Sequence, residues 1–254
     1  GRLLPACYLS GLGVKIHRLL GRSLTEQYKE PSMNALLICS GGFDSVTLAH
    51  RLHANGQLGA LLCFDYGQRH KKEIDSARQC AQRLDVPFIL LDISTIGRQL
   101  SGSALTDDIA VPHGEYNQDN MQLTVVPNRN AIMLSIAFGV AAARKLDTVA
   151  IAVHGGDHFV YADCRPEFID AMAQMQRLAL ADQTVIELFA PYVEADKTAI
   201  ARDAVRYDVP IAQTWSCYEG SELHCGRCAT CLERMQAMAQ AGVADPTVYA
   251  IQEA

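Results

Sequence analysis

The sequence predicts an α/β protein: a doubly wound parallel sheet with a small cysteine-rich helical element at its C-terminal end. Three observations predict it. Apolar strand-like runs alternate with helical stretches, several of those runs lack polar/apolar alternation, and four cysteines crowd into residues 217–231. Continuous apolar strands between helices are the pattern of a parallel sheet covered on both faces.

In chain order, residues 35–39 (ALLIC) form an apolar run bounded by Asn34 and Ser40. Gly41-Gly42 then gives a tight turn, and a helix is expected over 45–54, stopped by Asn55-Gly56. The unit recurs: strand 59–64, helix 71–84, strand 88–93 entered through Val86-Pro87. Further on come helix 129–145, strand 149–153, helix 167–181, strand 185–189 and helix 194–207. Residues 94–122 are rich in Gly, Ser, Asp and Asn with weak periodicity, and a loop that long in a compact domain is usually functional.

The first 32 residues look foreign to this pattern: five Lys or Arg stand against Glu26 and Glu30, and Met33 opens the first clean strand. They are read as an upstream or vector-derived extension outside the fold, with a transit peptide as the alternative. The expected division is 33–210 for a nucleotide-binding domain and 211–254 for a metal-binding element.

The bulk numbers bound the function. With 22 basic and 28 acidic residues the formal charge is −6, so the chain has no bulk electrostatic reason to coat nucleic acid. No apolar run approaches the roughly 18 residues needed to span a bilayer. Nine cysteines, an odd count over a long chain, argue against a secreted disulfide framework and for a reducing, cytoplasmic setting.

The first strand ends in Ser40-Gly41-Gly42-Phe43-Asp44-Ser45. Ligands sit at the carboxyl ends of strands in open parallel sheets. Two glycines let backbone N–H groups approach an anion, and the following helix turns its positive end toward the same point. Ser40 and Ser45 add hydroxyl donors, while Asp44 can hold Mg²⁺ or cap the helix. A plain β-α turn with an Asp/Ser cap is the bland alternative, but the whole string between strand and helix favours phosphate binding. No Walker A and no G-x-G-x-x-G pattern is present.

Cys217, Cys225, Cys228 and Cys231 form C-x7-C-x2-C-x2-C. Four thiolates at these spacings suit tetrahedral zinc, and a full set of four leaves no open position, so the metal reads as structural. An iron–sulfur cluster or a redox dithiol is the rival. Cys231 is expected to start the last helix.

Other polar groups fall at strand ends or helix starts. Asp65, Tyr66 and Gln68 follow the second strand, with Glu73 one turn later. Arg129 opens a helix, where its charge opposes the dipole unless an anion is near. His154, Asp157 and His158 follow the fourth strand and read as a ligand-lining loop in preference to a second metal site. Asp163 and Arg165 precede the next helix, and Arg165 can offer two parallel donors to a carboxylate. Lys197 begins another helix, where a solvated lysine is the bland alternative.

The motifs SGGFDS (40–45), FDYGQRH (64–70), VPNRN (126–130), DCRPEF (163–168), and TWSCYEG followed by HCGRCATC (214–231) resemble the 7-cyano-7-deazaguanine synthases of queuosine biosynthesis, the preQ0 synthases. The first motif alone marks only the wider PP-loop ATP-pyrophosphatase superfamily. The resemblance covers nearly everything after residue 32. It implies a Rossmann-like, adenine-nucleotide α-hydrolase-like fold and a homodimer. It implies an enzyme that activates 7-carboxy-7-deazaguanine as an adenylate, aminates it with ammonia, and converts the amide to the nitrile with a second ATP. ATP would be held by Cys39, Ser40, Gly41, Gly42, Phe43, Asp44, Ser45, Val46, Asp65, Tyr66 and Gln68, with Mg²⁺ neutralising charge. The deazapurine acid would meet Arg129, Asn130, Asp157, His158, Asp163 and Arg165. Asp44, Lys197 and Arg129 would be catalytic, and the four cysteines would bind zinc. One departure stands out: the arginine of the VP-x-R-N segment often follows glycine in that family and here follows Asn128. Asparagine tolerates left-handed backbone angles, so the turn is expected to survive.

Three rivals share parts of this reading. A tRNA thiolation enzyme on the same ATP fold would need a reactive loop thiol, for which Cys164 is the candidate, and a basic face. A ligase joining the adenylated deazaguanine acid to a macromolecular amine would differ only in the nucleophile. A non-catalytic zinc-knuckle module would have let the 40–45 string decay, and it is intact.

Overall fold

The computed structural model describes residues 33–69, 71–100, 102–114, 122–157 and 161–250. Five strands form one sheet: β1 (Ala35–Ile38), β2 (Leu58–Asp65), β3 (Phe88–Asp92), β4 (Thr148–Ala150) and β5 (Glu187–Phe189), in the order β3-β2-β1-β4-β5. Every pairing is parallel. The helices are α1 (Phe43–Ala54), α2 (Lys72–Leu84), α3 (Ser94–Gly97), α4 (Arg129–Arg144), α5 (Pro166–Ala179), α6 (Lys197–Arg206) and α7 (Ala229–Ala241).

The absence of alternation in the strands has a direct cause. Leu36, Leu62 and Val149 pack into one buried cluster with Leu134 and Phe138 of α4, while Leu37, Leu61 and Ala150 pack into a second with Leu48 of α1 and Ile200 of α6. Successive side chains point to opposite faces, and both faces are covered. Burying one leucine contributes about 2 kcal/mol, so these two layers dominate the stability.

The element boundaries differ from expectation where caps decide them. α1 begins at Phe43, two residues before the expected start, because Gly42 is already its N-cap. β4 ends at Ala150 and the chain continues as the lining of a cavity through His154. Part of the expected 94–122 loop is the short helix α3. The last helix starts at Ala229 with Cys228 as N-cap, which places Cys231 inside its first turn and not at its start. Asn128 sits at φ 58, ψ 22, the left-handed conformation that the turn was expected to require.

The chain runs outward from β1 through β2 to β3, then returns to place β4 on the other side of β1. The strand order therefore reverses between β1 and β4, and a crevice opens at their carboxyl ends.

Candidate active site

The crevice is a cavity of ≈ 240 Å³ whose walls include Cys39 and Ser40 after β1, Phe64 from β2 and Tyr66 just after it, Arg129 and Met133 from α4, and His154 after β4. Its floor is the glycine turn. Gly41 has φ +87, and a Cβ there would lie 2.0 Å from the Glu73 carbonyl oxygen and 2.7 Å from the Ala77 nitrogen. Glycine is needed for both reasons. The Gly41 carbonyl accepts from Ser76 Oγ at 2.8 Å and from the Trp215 amide at 3.0 Å, which pins the turn against α2 and the cysteine-rich segment.

Gly42 caps α1 with no side-chain hydrogen bond. Its own amide donates to Ser40 Oγ at 3.2 Å, and Ser45 Oγ donates to its carbonyl at 3.1 Å. The first-turn amides of a helix have no intrahelical acceptor. Here they are not covered by a capping side chain, and they meet the cavity with the positive end of the helix dipole. The arrangement can hold an anion. Val46, by contrast, is a core residue 2% exposed and presents nothing to the cavity.

Lys197, the first residue of α6, joins three elements. Its Nζ lies 3.2 Å from Asp44 Oδ2 and 2.7 Å from Glu233 Oε2 of α7. His154 Nε2 stands 3.7 Å from the same Asp44 oxygen. The Gly156 amide donates to His154 Nδ1, which places the ring proton on Nε2, toward Asp44. The other oxygen, Asp44 Oδ1, is buried and has no hydrogen-bond partner among the described residues. An open carboxylate oxygen beside an anion-binding turn fits a hard divalent cation, which takes oxygen ligands from the protein and from phosphates.

Arg129 faces the cavity among Tyr66, Tyr218, Tyr161 and Cys164. Burial pushes the Tyr66 phenol up to about 12, against the pull of Arg129, so it stays protonated near neutrality. Glu73 also lines the cavity, and burial, only partly offset by Arg129, pushes its carboxyl up to about 7.

The remaining predicted residues serve the walls. Gln68 Oε1 accepts from the Tyr66 amide and its Nε2 donates to the Phe64 carbonyl, so it braces the loop after β2 while lining the cavity. Asp65 accepts from the Gly67 amide and pairs with Lys71 at 2.7 Å, outside the lining. Asp163 Oδ2 accepts from the Asn130 amide at 3.0 Å, and Asn130 Nδ2 donates to the Asp163 carbonyl at 3.1 Å, which ties the start of α4 to the turn before α5. Asn130 lines the cavity, whereas Asp163 supports it from behind. Arg165 is exposed at the N-cap of α5. Asp157 ends a short 3-10 turn at Gly155–Asp157, and His158 lies outside the described residues.

Cys217, Cys225, Cys228 and Cys231 are buried, and their sulfurs all lie within 4.8 Å of one another. A tetrahedral zinc with Zn–S of about 2.3 Å sets sulfurs about 3.8 Å apart. The amide of Cys225 donates to Cys217 Sγ, and those of Arg227 and Cys228 donate to Cys225 Sγ, at 3.2–3.4 Å, hydrogen bonds that favour thiolates. The four residues can hold a metal ion, and the donor set and spacing fit zinc. The cluster forms part of the cavity wall through its neighbours: Trp215 and Ser216 precede Cys217, Thr230 precedes Cys231, and all three line the cavity. Thr230 Oγ1 donates to the Ser216 carbonyl at 2.8 Å. Arg234, fully buried on α7, donates to Thr214 Oγ1, Ser216 Oγ and the Ile211 carbonyl and lies over the Phe43 ring, so the cysteine-bearing helix also supports the start of α1.

Sequence reasoning does not pick out Glu233 or Arg234, and it quotes Trp215 and Thr230 only within motifs, with no role of their own. Glu233 looks like one more polar residue on a helix, and only the packing of α6 against α7 gives it a partner. Glu73 carried a weak signal, one helical turn after a strand-end loop.

With this geometry in place, comparison with known proteins is informative. The family model described as "Queuosine biosynthesis protein QueC" matches residues 34–242. A 7-cyano-7-deazaguanine synthase from Brucella anthropi is 61% identical over 217 residues, covering 85% of this chain and 94% of that protein. One from Rhizobium leguminosarum bv. trifolii is 59% identical over 221 residues, covering 87% and 94%. Among solved structures, an NH3-dependent NAD synthetase from Campylobacter jejuni aligns over 70% of this chain and 66% of its own with a TM-score of 0.41 and 16% identity, too slight a likeness to bear on chemistry. The match across nearly the whole described fold settles the family: the chain belongs to the QueC family of queuosine biosynthesis proteins.

Proposed function

We propose that the chain is an ATP-dependent carbon–nitrogen ligase that converts 7-carboxy-7-deazaguanine and ammonia to 7-cyano-7-deazaguanine. The observation that carries the reading is one cavity in which an uncovered helix start and glycine turn at 40–45 meet Arg129 and Lys197. The anion-binding turn takes the triphosphate. Arg129 draws in the substrate carboxylate, whose oxygen attacks the α-phosphate with loss of pyrophosphate. Lys197, held by Asp44 and Glu233, stabilises the charge that develops on the phosphoryl oxygens. Ammonia then displaces AMP to give the amide. A second ATP activates the amide oxygen, and loss of AMP leaves the nitrile.

Mg²⁺ is the divalent cation assigned to the open oxygen of Asp44, and when bound it neutralises polyphosphate charge. Zinc is assigned to the four cysteines in a structural role. A cytoplasmic homodimer with a nucleotide-binding unit at 33–210 and a metal-binding element at 211–254 completes the reading. The test is incubation with 7-carboxy-7-deazaguanine, ATP and ammonium, followed by mass spectrometry. The nitrile and AMP are expected. Formation of ADP, or of no deazapurine product, overturns the proposal.

A further inference from the structure

Only two carboxylates line the cavity among the described residues, Asp44 and Glu73. Asp44 is committed to Lys197 by an ion pair at 3.2 Å. Glu73 differs. No hydrogen bond or ion pair from another described residue engages its carboxylate, although it is partly buried. Its place is fixed by the backbone, since the Glu73 carbonyl packs where a side chain on Gly41 would go. The side chain lines the cavity beside the 40–45 turn. The charged and titratable groups around it are Arg129 on α4, Tyr66 after β2 and Cys63 within β2.

We propose that the Glu73 carboxylate is the proton acceptor for the nitrogen nucleophile. The inference rests on the adenylation reading above. In the step, the nitrogen lone pair forms a bond to the acyl carbon and the acyl carbon–oxygen bond to AMP breaks, with its electron pair leaving on the phosphate oxygen. One N–H bond breaks, and its proton passes to a Glu73 oxygen and then to solvent. A carboxyl that burial has pushed up to about 7 is matched to this task near neutral pH, where an ordinary carboxylate is too weak a base. Arg129 beside it keeps enough of the charged form available while orienting the acid that is to be activated.

The test separates activation from amination. Exchange of pyrophosphate into ATP, dependent on the deazapurine acid and run without ammonia, reports adenylation alone. Glu73→Gln should keep this exchange within about threefold of the wild type and lose amide formation by roughly 10²-fold or more, the usual size of a general-base contribution. Hydroxylamine, largely unprotonated at neutral pH, should still trap the adenylate as hydroxamate at near the wild-type rate. At fixed free ammonia, the rise of the wild-type rate near pH 7 should be missing from the variant. Equal losses with ammonia and hydroxylamine, or loss of exchange together with amination, overturn the proposal. If Glu73→Gln does not fold, Glu73→Asp is compared with the wild type in the same assays, and an unchanged ratio of ammonia to hydroxylamine reaction overturns it. Absence of acid-dependent exchange in the wild type is a different result: it removes the adenylation reading itself.

Discussion

Glu233 Oε2 holds Lys197 Nζ at 2.7 Å across the α6–α7 contact, and the same ammonium reaches Asp44 Oδ2 at 3.2 Å. Lys197 and Glu233 have side chains only 10% and 17% exposed, so each needs the other. Glu233→Ala removes the nearer of the two carboxylates that hold the lysine. Loss of one member of a buried pair costs about 3 kcal/mol or more, and urea denaturation should show it. Glu233→Gln keeps a hydrogen-bond acceptor and should fold with a smaller loss, yet lower kcat by about tenfold with little change in the KM for ATP, because the lysine is then held less firmly toward the transferring phosphoryl group. Lys197→Ala should lower kcat by about 10²-fold or more. A Glu233→Gln enzyme with wild-type kcat would detach the pair from catalysis.

Gly41 has no room for a methyl group. Both its φ of +87 and the backbone atoms of Glu73 and Ala77 oppose one, and backbone cannot rotate away as a flexible side chain can. Gly41→Ala should cost about 3 kcal/mol or more and displace α2 from the turn. Circular dichroism melts and urea midpoints measure it. Gly56, with φ +68 and open space around it, is the control: Gly56→Ala should cost only about 1 kcal/mol, from backbone strain alone.

These two sites mark what the sequence could and could not disclose. Gly41 was legible because a tight strand-to-helix turn packed against a neighbouring helix admits only glycine there. The parallel sheet was legible because residues such as Leu36 and Leu37 are both buried, on opposite faces, and leave no polar position between them. Asn128 was legible as a left-handed residue because few side chains tolerate that conformation. The cysteine cluster was legible from spacing. Glu233 was not, since its meaning depends on α6 lying against α7, a pairing that no local pattern encodes. Arg234 is a charged residue with a fully buried side chain, and its hydrogen-bond acceptors lie 18–23 residues upstream. Boundary errors such as the start of α1 arose where a glycine caps a helix without the side-chain signature of a cap.

The cysteine cluster should be structurally required and catalytically indirect. Its four sulfurs come from a loop and the first turn of α7, and the hydrophobic residues packed against them include Val111, Trp215, Tyr218 and Tyr249. Removing the metal leaves this small unit without a centre, and the cavity wall at Trp215, Ser216 and Thr230 goes with it. Treatment with a strong chelator should lower the melting temperature by about 10 °C or more and abolish turnover. Elemental analysis should give one zinc per chain before treatment. Cys228→Ser should behave like the chelated protein. A chelated protein with full activity and an unchanged melt would rule out the structural role.

Glu73 offers a test that needs no substrate. In the folded chain its carboxyl is pushed up to about 7, with desolvation the leading cause, while in the unfolded chain it returns to about 4.5. Between those values the folded state keeps a proton that the unfolded state has released. Stability attributable to this group therefore falls as pH rises through that window, and the full penalty is present above pH 7. Glu73→Gln has no charge to desolvate. The variant should be more stable than the wild type at pH 8, by on the order of 1–3 kcal/mol given partial exposure and the nearby Arg129. The gap should close as the pH approaches 4.5. Every other titrating group is common to both proteins, so the difference between the two urea-derived stability curves isolates this carboxyl. A residue that weakens the fold at working pH, and whose removal stabilises it, is held there for what it does in the cavity. Identical curves at pH 8 and pH 5 would mean that water reaches the carboxylate freely.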